Sequence, residues 1–282
     1  MKLKQNIFIA IFLLIVFPAF CQNSNPVISI EFSVGPSLPV GNYTANSNLS
    51  EKSCASAVAG ENIQIALEHK MTRHLGLTAM LYAQRNPLNT KALSSQFDNE
   101  PFYIEPVGLT GGSQPPVLPP PVYFSNWNTL NRSWYLESIL FGLTDEFALD
   151  KTGKFSLEIK ALVGPAHADL PSLIATSSND TARNYISKKS GSAYGVSFFG
   201  SGSVNYQFTR RIGLTLSIEY LQTTTFNFSA VTESDAVIIG VPNSLNGSIT
   251  FNSKATAPVK QSVNGLNLNA GISLSLFRSG HK

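Results

Sequence analysis

Charge is scarce in this chain. Asp, Glu, Lys and Arg make up 13% of its 282 residues, against roughly 25% in a typical soluble domain. Gly, Ser, Thr and Asn fill the gap. A surface so poor in charge is either solubilised by small polar groups or faces something other than water. Cysteine is scarcer still. Cys21 and Cys54 are the two present, which excludes a disulfide framework and a CxxC-type metal site. Long apolar runs are missing beyond the first 20 residues, so no later segment reads as a transmembrane helix, which needs about 20 apolar residues. An exported chain of this kind enters a membrane as a closed barrel or not at all.

The N-terminus accounts for the first apolar run. Lys2 and Lys4 precede an unbroken stretch from Ile7 to Phe17, and Pro18-Ala19-Phe20-Cys21 follows. Basic, then apolar, then small is the order of a secretory signal. We expect a signal peptide over 1–21, with Ala19 and Cys21 as the small residues at the cleavage site. The alternative makes Cys21 a lipidation site, but Phe20 is bulky where lipoprotein signals place a small residue. Removing Lys2 and Lys4 lowers the formal charge from +3 to +1. A nearly neutral chain has no electrostatic basis for binding nucleic acid.

What the chain has in abundance is a two-residue period. In NGLNLNAGISLSLF, Leu266, Leu268, Ala270, Ile272, Leu274 and Leu276 alternate with Asn267, Asn269, Gly271, Ser273 and Ser275. This is a β-strand with two unlike faces. Seven more stretches share it: Ile28–Gly35, Asn62–Glu68, Leu75–Tyr82, Ser138–Thr144 (with Leu140 out of phase), Phe155–Gly164, Val196–Phe208 and Ile212–Tyr220. Three connections are short: Lys70–His74, Asp150–Lys154 and Thr209–Arg211. Four are long: about 39–57, 86–132, 169–192 and 229–262. The reading is all-β: an eight-stranded antiparallel transmembrane β-barrel with short periplasmic turns and long extracellular loops. It occupies 22–277, with a short tail at 278–282.

The composition of the faces sets the orientation. A water-soluble barrel carries Lys, Glu and Asp outside. Here the polar face is mostly Ser, Gly, Asn, Thr and Gln, which suits a narrow lumen. The apolar face is free of charge over the middle of each strand, where Lys or Arg against lipid costs about 2–4 kcal/mol. The apolar face therefore points outward. Aromatic residues gather near strand ends: Phe147, Phe155, Tyr206, Phe208 and Phe277 toward the turns; Tyr43, Trp134, Tyr135, Tyr194, Tyr220 and Phe226 toward the long loops. We read both sets as interfacial girdles.

With SVGPSLPVGNY after the leader, NIQIALEHKMTRHLGLTAMLY as a paired strand unit, WYLESILFGLTDEF at the fourth strand and a closing strand that ends on Phe277, residues 26–277 resemble the small eight-stranded outer-membrane barrels. They resemble especially the outer membrane protein β-barrel domain family of Bacteroidota. The resemblance implies a Gram-negative outer membrane, contact with its lipid and insertion by the barrel-insertion machinery. Such barrels often end on an aromatic residue, whereas here Arg278–Lys282 follow Phe277.

Three sets of residues are candidates for function. Glu31, Glu68, Glu158, Lys160 and Glu219 fall on the inward parity, and are expected to pair with one another and with hydroxyls as a charge network that plugs the lumen. The loop stretch QPPVLPPPVYFSNWN holds five prolines, which favour a stiff extended arm. It presents Tyr123, Phe124 and Trp127 as a possible binding surface for an extracellular ligand. The segments 236–241 and 248–251 read as an additional hairpin. His167, with Asp169 and Ser172 close by in sequence, is the one constellation a membrane-embedded lipid hydrolase would use, without a GxSxG elbow to support it. No cofactor or metal spacing is present. The primary expectation is a non-catalytic structural or surface-binding barrel. A narrow pore is the alternative and the hydrolase a second.

Overall fold

The computed structural model describes residues 27–44, 56–72, 74–91, 126–131, 133–178, 182–188, 191–209, 211–229, 232–239, 248–255 and 258–277. The expected signal peptide, Cys54, Tyr123, Phe124 and the tail after Phe277 lie outside them. Fifteen strands run in order: β1 Val27–Pro39, β2 Gly60–Lys70, β3 Leu75–Asn86, β4 Asn128–Asn131, β5 Trp134–Ala148, β6 Phe155–Leu170, β7 Leu173–Ser178, β8 Ala182–Lys188, β9 Gly191–Gln207, β10 Ile212–Thr223, β11 Phe226–Phe228, β12 Thr232–Ile239, β13 Ser248–Ala255, β14 Val259–Gln261 and β15 Asn264–Phe277. Among the described residues no helix is long and apolar enough to cross a membrane.

Eight strands close into an antiparallel barrel in the ring order β1-β15-β10-β9-β6-β5-β3-β2. These are the eight stretches that alternate in the sequence. The closing seam pairs Ile30 with Leu274 and Val34 with Ala270, with a register shift at Ile28/Ser29. β2–β3, β5–β6 and β9–β10 are joined by short turns at one end, where Val27 and Phe277 also lie.

Two of these turns repeat one device. In MTRHLGL, Thr72 Oγ1 accepts hydrogen bonds from the backbone N–H groups of His74 and Leu75. In FTRRIGL, Thr209 Oγ1 accepts from Arg211 and Ile212. A threonine hydroxyl thus stands in for a missing backbone acceptor. The third turn uses Asp150, whose carboxylate accepts from the N–H groups of Thr152 and Phe155, while Gly153 takes a positive φ of 67°, which glycine adopts without steric cost.

A second repeat bends the strands. Val34-Gly35-Pro36 on β1 and Val163-Gly164-Pro165 on β6 interrupt the ladders to β15 and β5 respectively. A Cβ at Gly35 would lie 2.0 Å from the Leu268 carbonyl oxygen, and one at Gly164 would lie 1.8 Å from that of Ile139. The backbones approach too closely there for any side chain, and the proline that follows has no N–H to lose from the ladder.

Outside the barrel, a belt of large apolar residues faces away from the protein: Phe32, Ile65, Leu81, Ile139, Leu143, Ile159, Phe198, Leu216, Ile218 and Leu274 among them, with Leu216 66% exposed. On β15 the belt runs from Leu266 to Leu276, about 34 Å of strand at ~3.4 Å per residue. At a tilt of ~40° this is about 26 Å of height, close to the roughly 25 Å apolar band of a membrane barrel.

Candidate functional site

The lumen inside this belt is filled by paired charges and amides. Lys160 on β6 reaches across to Glu31 on β1, four places away in the ring of eight, with Nζ donating to Oε2 at 2.5 Å. The same ammonium lies 2.7 Å from Glu158 Oε1. Glu158 also accepts from Ser203 Oγ and Asn205 Nδ2, each at 3.2 Å. Nearer the turns, Lys70 pairs with Glu146, which also accepts from Ser156 Oγ at 2.6 Å. Glu68 is buried at the same end. Toward the loops, Glu219 Oε1 accepts from Gln64 Nε2 at 2.5 Å and Ser217 Oγ at 2.7 Å, and its Oε2 accepts from Asn269 Nδ2 at 2.9 Å. Asn269 and Asn62 exchange amide hydrogen bonds. Asn267 then donates to Tyr82, and Tyr82 to Gln84. A cavity among these groups leaves only about 10 Å³ to a water centre, room for roughly one water.

Above the polar layers the interior turns apolar. Tyr43 and Trp134 meet edge to face with centroids 5.7 Å apart, as do Trp134 and Phe228 at 5.9 Å, while Phe226 and Phe228 lie tilted at 6.0 Å. Leu136, Leu140, Leu221 and Val263 pack with them, and Trp134 is 1% exposed. β11 and β14 form a two-stranded ribbon that brings Phe226, Phe228 and Val259 to this plug. On the outer wall at the same height, polar groups replace the belt. Glu61 pairs with Arg85 at 3.6 Å, and Arg85 stacks over Tyr135 at 5.8 Å. Glu137 is exposed one strand from His167. The barrel wall therefore inverts its polarity along its axis. Within the belt it is apolar outside and polar inside; beyond it, charged groups appear outside, and inside aromatic and aliphatic side chains pack beside a few buried polar ones such as Ser37 and Asn86.

This inversion corrects part of the girdle expectation. Tyr43, Trp134 and Phe226 are buried in the plug rather than ringing the outside. Phe147, Phe155, Phe208, Tyr135, Tyr194 and Tyr220 are exposed large residues on the outer wall. Phe155, Tyr206 and Phe208 contact one another in series, the first pair tilted at 4.7 Å and the second edge to face at 4.8 Å. Leu140, out of phase in the sequence, points inward and is fully buried.

The long loops build a second structure. β13-β12-β8-β7-β4 form one antiparallel five-stranded sheet, so three of the four long connections contribute to it. The expected hairpin is present as Thr232–Ile239 paired with Ser248–Ala255. Its joining to β8, β7 and β4 has no local signal in the sequence, because those pairings link loops far apart in the chain. Ala175 and Ser177 are buried on one face, while Thr176, Asn128 and Leu130 are exposed on the other, Leu130 at 70%.

The structure brings Glu31, Glu158 and Lys160 into one ion cluster, with Glu219 in a separate amide network and Glu68 buried near the turns. Lys70 and Glu146 belong to the same lumen and escaped the sequence reading because both lie beside turns; their inward parity was the available signal. Of the loop aromatics, Trp127 lies among the described residues and is 7% exposed. His167 faces outward, with Nε2 3.7 Å from Asp169 and its ring 4.9 Å from that of Tyr194. Among the described residues no hydrogen bond joins Ser172 to His167, so the geometry assembles no serine–histidine pair.

No family model matches the chain, the Bacteroidota barrel family included, and no curated protein matches it. Solved structures are similar to it, among them the following three. Neisserial surface protein A shares 10% identity over 90% of this chain and 98% of that one, with a TM-score of 0.36. A major outer membrane protein from Thermus thermophilus shares 9% over 89% and 99%, at 0.37. Ail, the attachment invasion locus protein of Yersinia pestis, shares 12% over 90% and 100%, at 0.33. Nothing about this chain's activity follows from likenesses at this level.

Proposed function

We propose that this protein is a non-catalytic outer-membrane barrel, exported by a cleaved leader over residues 1–21, inserted by the barrel-insertion machinery, and acting at the cell surface through its loop-built sheet. One observation carries the reading: a closed lumen and an outward apolar belt stand together with a five-stranded sheet assembled from three separate loops. A belt of exposed Leu, Ile, Val and Phe about 26 Å tall suits hydrocarbon and no aqueous surface. Two layers of side chains obstruct solute passage. A sheet on the far side, with one covered and one open face, is the part free to meet a partner, and loops held by a rigid scaffold often carry recognition.

Three experiments test the reading. Leu130→Cys, in a chain carrying Cys54→Ser, is expected to react with a membrane-impermeant maleimide on intact cells; protection there, with labelling only after lysis, overturns the orientation. Planar bilayers holding the refolded protein are expected to show no stable conductance steps. Regular steps would favour the pore instead. Deleting Thr232–Ala255 while leaving the barrel intact is expected to abolish retention of cells on glycan or protein surfaces that the unaltered cells bind.

A further inference from the structure

The lumen carries more carboxylates than cations. Glu31 and Glu158 share the single ammonium of Lys160. Glu219, 2% exposed, accepts from neutral donors among the described residues: Gln64, Ser217 and Asn269. A buried carboxylate with no positive partner is costly unless a proton or a cation neutralises it. The small cavity lies against this group, with Glu31, Glu219, Gln64, Lys160 and serine hydroxyls on its polar wall and Ala66, Met80 and Phe199 on its apolar wall. A second observation comes from a residue that lines the cavity. Gln64 is 5% exposed, and its Nε2 is committed to Ser33 and Glu219, while its Oε1 has no hydrogen-bond partner. A buried amide oxygen left unmatched in this way lacks a donor or a cation.

We propose that the lumen holds one monovalent cation of sodium size between Glu219, Gln64 Oε1 and Glu31. The oxygens available there are hard ones, two carboxylates, one amide oxygen and serine hydroxyls, and they share the cavity wall with Ala66, Met80, Phe199 and Lys160. The space is one water wide. A dication is disfavoured by Lys160 alongside and by the lack of the six or more oxygens that calcium takes. The ion supplies positive charge to Glu219, whose hydrogen-bond partners are neutral, and adds a second cation to Glu31, whose Oε2 already pairs with Lys160. It ties β1, β2 and β10 together through groups that are otherwise all acceptors, and it goes beyond the surface-binding role, on which it does not depend.

The test uses the mature protein refolded in detergent micelles. Urea unfolding is followed by the gel shift between folded and boiled forms, in sodium chloride against choline chloride at equal ionic strength and pH. A site that binds only the folded form makes the folded-to-unfolded ratio rise with sodium, approaching tenfold per tenfold sodium above the dissociation constant. Glu219→Gln is expected to remove that rise, and Glu61→Gln, at the exposed outer ion pair, to keep it. Equal curves in the two salts overturn the proposal, as does a sodium response that persists in Glu219→Gln. Stabilisation by acid in place of sodium, lost in Glu219→Gln, also overturns it and assigns the site to a proton. A response to calcium alone overturns the monovalent assignment. Where Glu219→Gln does not fold, crystals of the unaltered protein soaked in thallium decide. An anomalous peak between Glu219 and Gln64 supports the site, and a water there refutes it.

Discussion

Two stretches of one barrel wall obey opposite rules. In the belt, Ile139 and Leu143 of β5 face outward, and Thr144 and Ser138 face in. A few residues nearer the loops, Tyr135 and Glu137 face outward, and Trp134 and Leu136 are buried. Strand, pleat and neighbours are unchanged; the medium outside is what differs. Against hydrocarbon an exposed apolar side chain costs nothing, and the lumen can hold the polar groups. Against water the apolar groups gain by burial, and the same fold builds an ordinary core. β6 makes the change at Gly164-Pro165. Before it Phe155, Leu157, Ile159 and Val163 carry the apolar parity, and after it Ala166, Ala168 and Leu170 do.

The comparison can be broken from either side. The largest effect is expected at the two cores. Trp134→Ala empties the centre of the plug, and a loss of about 3–5 kcal/mol is expected, read as a lower urea midpoint. Lys160→Met removes the ammonium that Glu31 and Glu158 share, with a similar expected cost of about 3–5 kcal/mol. A small effect at Trp134 would show that the region beyond the belt is not a packed core. Next comes the outer wall. Leu216→Arg in the belt is expected to cost about 2–4 kcal/mol on folding into vesicles. Glu137→Arg, above the belt, is expected to stay within about 0.5 kcal/mol. Equal costs at the two positions would erase the boundary between the two stretches.

The smallest effect belongs to the Asp150 turn. Hydrogen bonds from Thr152 and from the Phe155 N–H hold its carboxyl below the ordinary aspartate value. A carboxyl whose folded value is depressed contributes stability above its unfolded value and loses it as pH falls through the folded one. Acid unfolding is therefore expected to show a slight extra loss below the usual aspartate range. Asp150→Asn should remove that increment without moving the neutral-pH fold.

All eight barrel strands, the three short turns and the outward belt were legible in the sequence. Each rests on a period-2 pattern, and a strand whose two faces meet different media must display that period locally. The inward parity of Glu31, Glu68, Glu158, Lys160 and Glu219 was legible for the same reason. Their partners were not. Lys160 meets Glu31 across the lumen, 129 residues away in sequence, and only the closing of β1 on β15 decides which strands stand opposite. The turnover in polarity was written at Leu140 and at Gly164-Pro165, but it reads as noise until the height of each residue along the axis is known. The surface sheet was the least legible part, since β4, β7, β8, β12 and β13 come from three loops and find one another only after the barrel has placed their ends. Local alternation thus determined which residues face in and which face out. Barrel closure decided which of them touch, because contact between distant strands depends on ring position, and no local pattern encodes it.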